Sequence, residues 1–322
     1  MKEQRFKKRW AASLLAVVMI AMMLAGCTAG SPKLAKDKLN ITASIYPLAD
    51  FAAKIGGEHA NVITIVPSGV EPHDWSPKLR DISIMARSQL LLYQGGGLEA
   101  WVTDFLESLP SDSPLLTLEV SQGLAVHHEE AEEEEHEEHA TEPHGHEENE
   151  VDPHTWLSPA LAKQMAEKIK EAMIAADPAN QADYEANYKA LATRFDELEA
   201  HYRAELEPLP RKDIIVQHAA FGYLSREFGL TQRAIMGLSP DAEPTAREMK
   251  AVKEFVKENG VRYIFFEELV SDKLAKTLAK ETGVQTLVLS PIEGRTPEQE
   301  QAGDDYFSLM ERNLEHLVQA LQ

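Results

Sequence analysis

Short apolar runs alternate with amphipathic stretches along most of the chain, and they fall into two sets. The first set predicts strands at 40–45, 61–66, 89–93 and 115–118. The second set predicts strands at 214–216, 262–266 and 285–289. Amphipathic stretches between successive strands predict helices at 48–55, 248–258 and 273–282. Strands that alternate with helices form parallel sheets, so the pattern predicts an α/β protein in which one (β/α) unit occurs twice.

A long amphipathic segment separates the two sets. Within the stretch Asn180 to Leu206, aromatic and leucine side chains recur at spacings of three and four from Tyr184 onward, which predicts one helix of more than seven turns at ~3.6 residues each. A heptad interaction helix is the alternative, but α/β units on both sides favour a helix that joins two lobes. The predicted domains are therefore an N-terminal lobe, a linking helix and a C-terminal lobe, at 39–179, 180–207 and 208–322.

The N-terminus has the pattern of a secretory signal. Residues 1–10 are basic, and the uncharged apolar run 11–26 is too short for a comfortable membrane span. The run ends in LAGC, which resembles a bacterial lipobox and predicts a signal peptide over 1–26 with Cys27 as the lipid anchor. An uncleaved anchor and a plain secreted protein are the alternatives. With 27–38 as a polar tether, we expect the protein to lie on the extracellular face of the cytoplasmic membrane.

Charge and cysteine content narrow the kinds of partner. The 322 residues carry a formal net charge of −21, which argues against a nucleic-acid partner because polyphosphates require basic patches. A cation is the more natural ligand. One cysteine forms neither an internal disulfide nor a thiolate-rich zinc site. Any metal chemistry must therefore come from imidazole and carboxylate groups.

One segment, 127–150, fits neither lobe. It contains twelve glutamates and no Lys or Arg, and without these acids the formal charge would change from −21 to −9. Such low hydrophobicity and dense like charge predict a disordered loop. Its six histidines are His127, His128, His136, His139, His144 and His146. We expect them to bind zinc weakly and pass it to a main site; a solvated acidic insertion with incidental metal affinity is the alternative.

Three other histidines lie where a ligand site is expected. His73 stands in VEPHDWSP after a predicted strand, His154 in VDPHTWLSP, and His218 near the carboxyl end of strand 214–216. Ligands in open α/β sheets bind outside the carboxyl ends of strands. Each histidine alone is more often structural than a ligand, but the two similar Pro-His turns make coincidence less plausible.

Several motifs together resemble those of the metal-binding lipoproteins of ABC importers, and within them the zinc-specific ZnuA/AdcA-type branch. These motifs are EPHDW at 71–75, DPHTW at 152–156, HAAFGY at 218–223, FGL at 228–230 and YFSLMERN at 306–313. The acidic His-rich insertion is a further mark of that branch. The resemblance implies two lobes joined by one long helix, with the metal between them. His73 and His154 would come from the first lobe and His218 from the second.

The fourth ligand is open at this stage. Ser290 stands where many relatives have Asp, whereas Glu293 matches an acid that some zinc-binding members use, two residues past the proline. Water in the fourth position and Glu71 are the alternatives. Glu267 and Glu268 follow a predicted strand and are expected to be structural or rim acids. The ligand set implied by the resemblance is therefore His73, His154, His218 and Glu293.

The resemblance implies a monomeric zinc receptor that delivers Zn²⁺ to an ABC permease and its ATPase. Manganese-binding relatives have Glu at the third ligand position, so His218 favours zinc. The chain lacks Walker A and His-Glu-x-x-His patterns, so ATP hydrolysis would come from a partner and a zinc hydrolase is disfavoured. The alternatives are a manganese receptor of the same family and a metal-dependent surface adhesin.

Overall fold

In the computed structural model, which describes residues 33–124, 151–240 and 244–322, the first half of the chain forms a four-stranded parallel sheet. Its strands are β1 (Leu39–Ala43), β2 (Ala60–Thr64), β3 (Leu90–Tyr93) and β4 (Leu116–Glu119), in the order β2-β1-β3-β4. The helices are α1 (Tyr46–Gly56), α2 (Leu79–Met85) and α3 (Val102–Ser108). The predictions for the signal peptide, Cys27, residues 27–32 of the tether and the six loop histidines lie outside the described residues.

The second half repeats this arrangement. Its parallel strands are β5 (Asp213–Val216), β6 (Thr231–Ala234), β7 (Tyr263–Phe266) and β8 (Gln285–Val288), in the order β6-β5-β7-β8. Its helices are α6 (Gly222–Phe228), α7 (Ala246–Glu258), α8 (Lys273–Thr282), α9 (Pro297–Ala302) and α10 (Tyr306–Leu321). Strand β6 was not predicted, because the sequence TQRA has no apolar run and lies at an exposed sheet edge. The expectation of two α/β lobes is confirmed.

Along the chain, two consecutive helices separate the strands of the first sheet from those of the second: α4 (Pro159–Ala176) and α5 (Gln181–Leu206). Helix α5 confirms the long amphipathic helix predicted from the sequence. The residues that it buries are Tyr184, Leu191, Phe195, Leu198, Tyr202 and Leu206. This stripe packs against α1 and α4 of the first half and against α10 of the second. Among the described residues, no helix has both the length and the apolar character to cross a membrane.

The largest hydrophobic core runs through both halves. The ring of Phe51 on α1 lies 5.3 Å from that of Phe195 on α5 and 4.9 Å from that of Tyr306 on α10. The three rings are almost completely buried, and edge-on aromatic pairs of this kind contribute about 0.5–1.5 kcal/mol each beyond their burial. The shared core fixes the position of the two sheets, so the loops at their carboxyl ends face each other.

Candidate metal centre

Four side chains from four different strand ends meet between the two sheets. His73 follows β2, His154 follows β4 after the 125–150 segment, His218 follows β5, and Glu293 follows β8. One nitrogen or oxygen atom from each lies within 4.8 Å of the corresponding atoms of the other three. His154, His218 and Glu293 are fully or almost fully buried, whereas the side chain of His73 is 10% exposed. The structure thus brings together all four residues singled out in the sequence, with His73 nearest to solvent.

The spacing of these atoms resembles that of donors around a tetrahedrally coordinated ion. Glu293 Oε1 lies 3.3 Å from His73 Nε2, 3.1 Å from His154 Nε2 and 3.4 Å from His218 Nε2. The two buried imidazoles are 3.3 Å apart at their Nε2 atoms. With zinc–nitrogen bonds of about 2.0–2.1 Å, the edges of a coordination tetrahedron are about 3.3 Å long. Four of the six donor–donor distances thus match the edges of a zinc tetrahedron, and the other two lie within 4.8 Å.

Each of the two buried histidines is oriented by a carboxylate behind it. His154 Nδ1 lies 2.8 Å from Asp152 Oδ1, which also accepts the His154 backbone N–H at 2.9 Å. His218 Nδ1 lies 2.7 Å from Glu267 Oε1, which accepts the His218 backbone N–H at 3.1 Å. Because each Nδ1 has a carboxylate acceptor, each Nε2 is directed at the centre as the atom that would bind a metal. Asp152 and Glu267 therefore fix both the ring orientation and the tautomer.

Asp152 also marks a close approach of the two halves. A Cβ atom at position 222 would lie 2.8 Å from Asp152 Oδ2, so only glycine lets the start of α6 pack this closely. The hydroxyl of Tyr223 donates a hydrogen bond to the Asp152 carbonyl at 2.9 Å. The turn that carries His154 is thus held by the second half of the molecule.

The turn that carries Glu293 has an unusual backbone. Ile292 is fully buried and has φ +56°, a left-handed conformation that β-branched residues rarely adopt. Asn313 holds Ser290 on one side, accepting its N–H at 2.8 Å and donating to its carbonyl at 2.7 Å. On the other side, the Glu293 carbonyl accepts the N–H of Tyr46 at 3.2 Å. Ser290 therefore anchors this turn, and Glu293 supplies the carboxylate.

The other acids considered from the sequence have different contacts. Glu71 accepts the backbone N–H groups of His73 at 2.9 Å and of Asp74 at 3.4 Å, so it shapes the His73 turn. Glu268 accepts a hydrogen bond from Gln299 at 2.8 Å. The sequence predicted Glu267 as a structural or rim acid but did not reveal that it binds His218. It is 49 residues from His218, and the useful signal was that both follow neighbouring strands of one sheet.

Burial and charge strongly shift the protonation of the centre. Burial acts to raise the pKa of the Glu293 carboxyl, but hydrogen bonds from the three imidazoles hold that pKa well below its usual range. Burial acts to lower the pKa of His218, but Glu267 and Glu293 outweigh it and raise the pKa to about 10. The pKa of His154 is also raised, because hydrogen bonds to Asp152 and Glu293 outweigh its burial. The metal-free centre therefore holds protons that a cation must displace.

The chain is similar to known zinc-uptake proteins. The family model ZnuA, described as "Zinc-uptake complex component A periplasmic", matches residues 41–320. The zinc-binding protein AdcA of Streptococcus pyogenes is 37% identical over 313 residues, which cover 94% of this chain and 60% of the relative. The chain thus spans about three fifths of that relative's length. The high-affinity zinc uptake system protein ZnuA of Bacillus subtilis is 36% identical over 327 residues, which cover 98% of both chains.

A solved structure gives the same result. The Zn(II)-bound ZnuA-like domain of Streptococcus pneumoniae AdcA has 36% sequence identity and a TM-score of 0.73, and the match covers 88% of this chain and 99% of that domain. These matches confirm the resemblance drawn from the sequence motifs.

Proposed function

Because the chain belongs to the ZnuA family of zinc-uptake components, we propose that it captures Zn²⁺ between its two halves and delivers the ion to an ABC importer. Its ligands are His73, His154, His218 and Glu293. The observation that carries the proposal is the distance of 3.1–3.4 Å from Glu293 Oε1 to each of the three Nε2 atoms. The importer's permease and its ATPase are the expected partners, and the receptor acts as a monomer.

The donor set favours zinc over manganese. Imidazole suits zinc, whereas carboxylate, carbonyl and water ligands suit manganese, and this centre has three imidazoles and one carboxylate. Four protein donors complete a tetrahedral zinc site, so no position remains for a reactive water. That arrangement supports a receptor rather than a hydrolase.

The basic start, the apolar run and the LAGC end of the N-terminus support a location of this receptor on the extracellular face of the cytoplasmic membrane. Removal of the signal peptide 1–26 leaves Cys27 as the lipid-bearing residue and 27–38 as a tether. The proposed lobes are 39–179 and 208–322, and 180–207 joins them. The loop histidines act as an auxiliary site that concentrates zinc, and the adhesin role stays a prediction.

Calorimetry tests the ligand set. Titration of the metal-free chain lacking residues 1–26 with Zn²⁺ and Mn²⁺ is expected to show one tight site that prefers zinc. Structural zinc sites bind their ion with an apparent free energy of about 10–16 kcal/mol, to which four ligands contribute. Loss of one ligand in H218A is therefore expected to weaken zinc binding by roughly a hundredfold to a thousandfold. E293A is expected to have a smaller effect, because water can take the fourth position.

Two matched variants complete this experiment. His201 is half-exposed on α5 and pairs with Glu311, so H201A removes an imidazole without reaching the centre. The second variant replaces all six loop histidines with asparagine. Both are expected to keep the tight site. Tight binding that survives H218A, or that disappears with the loop histidines, would contradict the proposal.

A further inference from the structure

Trp156 joins the two turns that carry His154 and Glu293. It is fully buried, and its ring centroid lies 5.3 Å from that of His154. Its indole N–H donates a hydrogen bond of 2.7 Å to the carbonyl of Pro291, two residues before Glu293. Its own carbonyl accepts the hydroxyl of Tyr306 at 2.6 Å, which fixes the backbone of this tryptophan. A side chain of the first half thus holds the backbone of the second half beside the centre.

The turn held by Trp156 is the strained one. Ile292 lies between Pro291 and Glu293, and its left-handed conformation costs on the order of 1–3 kcal/mol, so it persists only where the surrounding contacts impose it. Asn313 anchors the start of the turn at Ser290, and Tyr46 binds the carbonyl of Glu293. The Pro291 carbonyl lies between these two points. Without its hydrogen bond, Ile292 is freer to return to an ordinary φ, and that rotation moves the Glu293 carboxylate.

We propose, on the premise that this centre holds zinc, that Trp156 is a positioning residue for Glu293. Its N–H keeps Ile292 in the strained conformation that directs Glu293 at the three imidazoles. The indole N–H of Trp156 donates to none of the four ligand side chains; it acts through the Pro291 carbonyl. Loss of this one hydrogen bond therefore weakens zinc retention by the same route as loss of the Glu293 carboxylate.

The chain provides a matched control at Trp101. The indole nitrogen of Trp101 is also buried, but it has no hydrogen-bond partner among the described residues. Trp101 packs edge-on against Trp75 in a smaller core of the first half. W156F and W101F remove the same N–H group with a similar loss of ring size. A difference between them shows what Trp156 contributes to the centre, and the E293A background then separates its hydrogen bond to Pro291 from its packing against His154.

A double-mutant cycle on the full chain tests the proposal, with zinc affinity and dissociation rate measured by chelator competition. W156F is expected to weaken binding about tenfold, as outer partners of metal sites commonly do, mostly through faster dissociation. The zinc affinity of W101F is expected to stay within about twofold of that of the wild type. In the E293A background, W156F is expected to reduce zinc affinity by less than about a further twofold. The effects of two residues that act through the same carboxylate are not additive.

The outcomes separate this proposal from the zinc function itself. Unchanged affinity in W156F, or a full tenfold loss in the E293A background, overturns the positioning role while wild-type binding stands. Absence of tight zinc binding in the wild type overturns both proposals. If W156F does not fold, a benzothienylalanine at position 156 keeps the ring shape without the N–H donor, and the same cycle is run with it. A lower melting temperature with additive affinity losses indicates a merely structural role and also overturns the proposal.

Discussion

The two sheets have the same strand order, and in each sheet a gap lies between the loops that leave the carboxyl ends of the two central strands. The two halves of the molecule use this gap differently. In the first half this gap lies beyond β1 and β3, where the buried carboxylate of Glu99 accepts N–H groups of Gln94 at 2.8 Å and Gly95 at 3.0 Å. The Ser44 hydroxyl completes this set of donors. In the second half the gap lies beyond β5 and β7, where Glu267 accepts both N–H groups of His218. Each half therefore places a buried carboxylate at the point where its strand order reverses.

What differs is the donor that faces the carboxylate. Backbone N–H groups have no lone pair to offer a metal, and a neutral hydroxyl is not among the usual zinc ligands, so the first gap is structural. An imidazole bound through Nδ1 still presents Nε2, so the same position in the second half becomes part of a metal centre. The topology supplies a buried acceptor in both halves, and one residue at the end of the central strand decides its use.

The structural gap nevertheless supports the centre. The side-chain amide of Gln94 donates to the Pro153 carbonyl at 2.7 Å and lies 2.8 Å from the Thr155 hydroxyl, on either side of His154. Glu99 thus orders Gln94, and Gln94 orders the His154 turn. The first half contributes its histidine indirectly, through a loop supported by the gap, whereas the second half contributes His218 directly.

The largest expected effect of this difference is the pH dependence of the metal-free protein. The raised pKa of His218, about 10 in the folded state, means that folding favours its protonated form. This contribution, on the order of a few kcal/mol, is complete below an unfolded pKa of about 6.5 and is lost as pH rises towards 10. Thermal unfolding in the presence of a chelator is therefore expected to show a melting temperature that falls from pH 6.5 to pH 10.

Two controls belong to this measurement. H218N removes the titrating imidazole and is expected to flatten the fall over the same range. Zinc-bound protein is expected to show the opposite slope from pH 5 to pH 7, because the metal competes with protons for each imidazole. A metal-free melting temperature that rises from pH 6.5 to pH 10 would contradict the raised pKa of His218.

The next effect separates the two carboxylates themselves. E267Q keeps an acceptor for His218 but removes the charge behind it, so zinc affinity is expected to fall by about 10–100-fold. E99Q places an amide against two backbone donors, so stability is expected to fall by about 1–3 kcal/mol. Zinc affinity is expected to fall by less than about threefold, because the change reaches the centre only through Gln94. Calorimetry and urea unfolding of both variants measure this contrast. Equal losses of zinc affinity in E99Q and E267Q would show that the two gaps do not differ in role.

The extent to which the sequence predicted this structure follows from how local each signal is. Continuous apolar runs marked most strands, and the stripe along α5 marked the long helix. Strand β6 has no such run. The role of Glu267 depends on the pairing of strands that brings it to His218, 49 residues away in sequence. The direction of Glu293 depends on the left-handed conformation of Ile292, which the sequence does not indicate because the position is neither glycine nor asparagine. The four-residue ligand set rested on family motifs, because no single spacing reveals residues from four strand ends.

The smallest expected effect comes from Ser44. S44A removes one donor from Glu99 but leaves the backbone N–H groups of Gln94 and Gly95 in place, so the free energy of unfolding is expected to fall by only about 1 kcal/mol. Zinc affinity is expected to be unchanged, because the Gln94 amide still holds the His154 turn. Urea unfolding with and without zinc measures both quantities. A fall of more than about threefold in zinc affinity would mean that the first gap controls the centre through Gln94, and the division into a structural gap and a metal-binding gap would no longer hold.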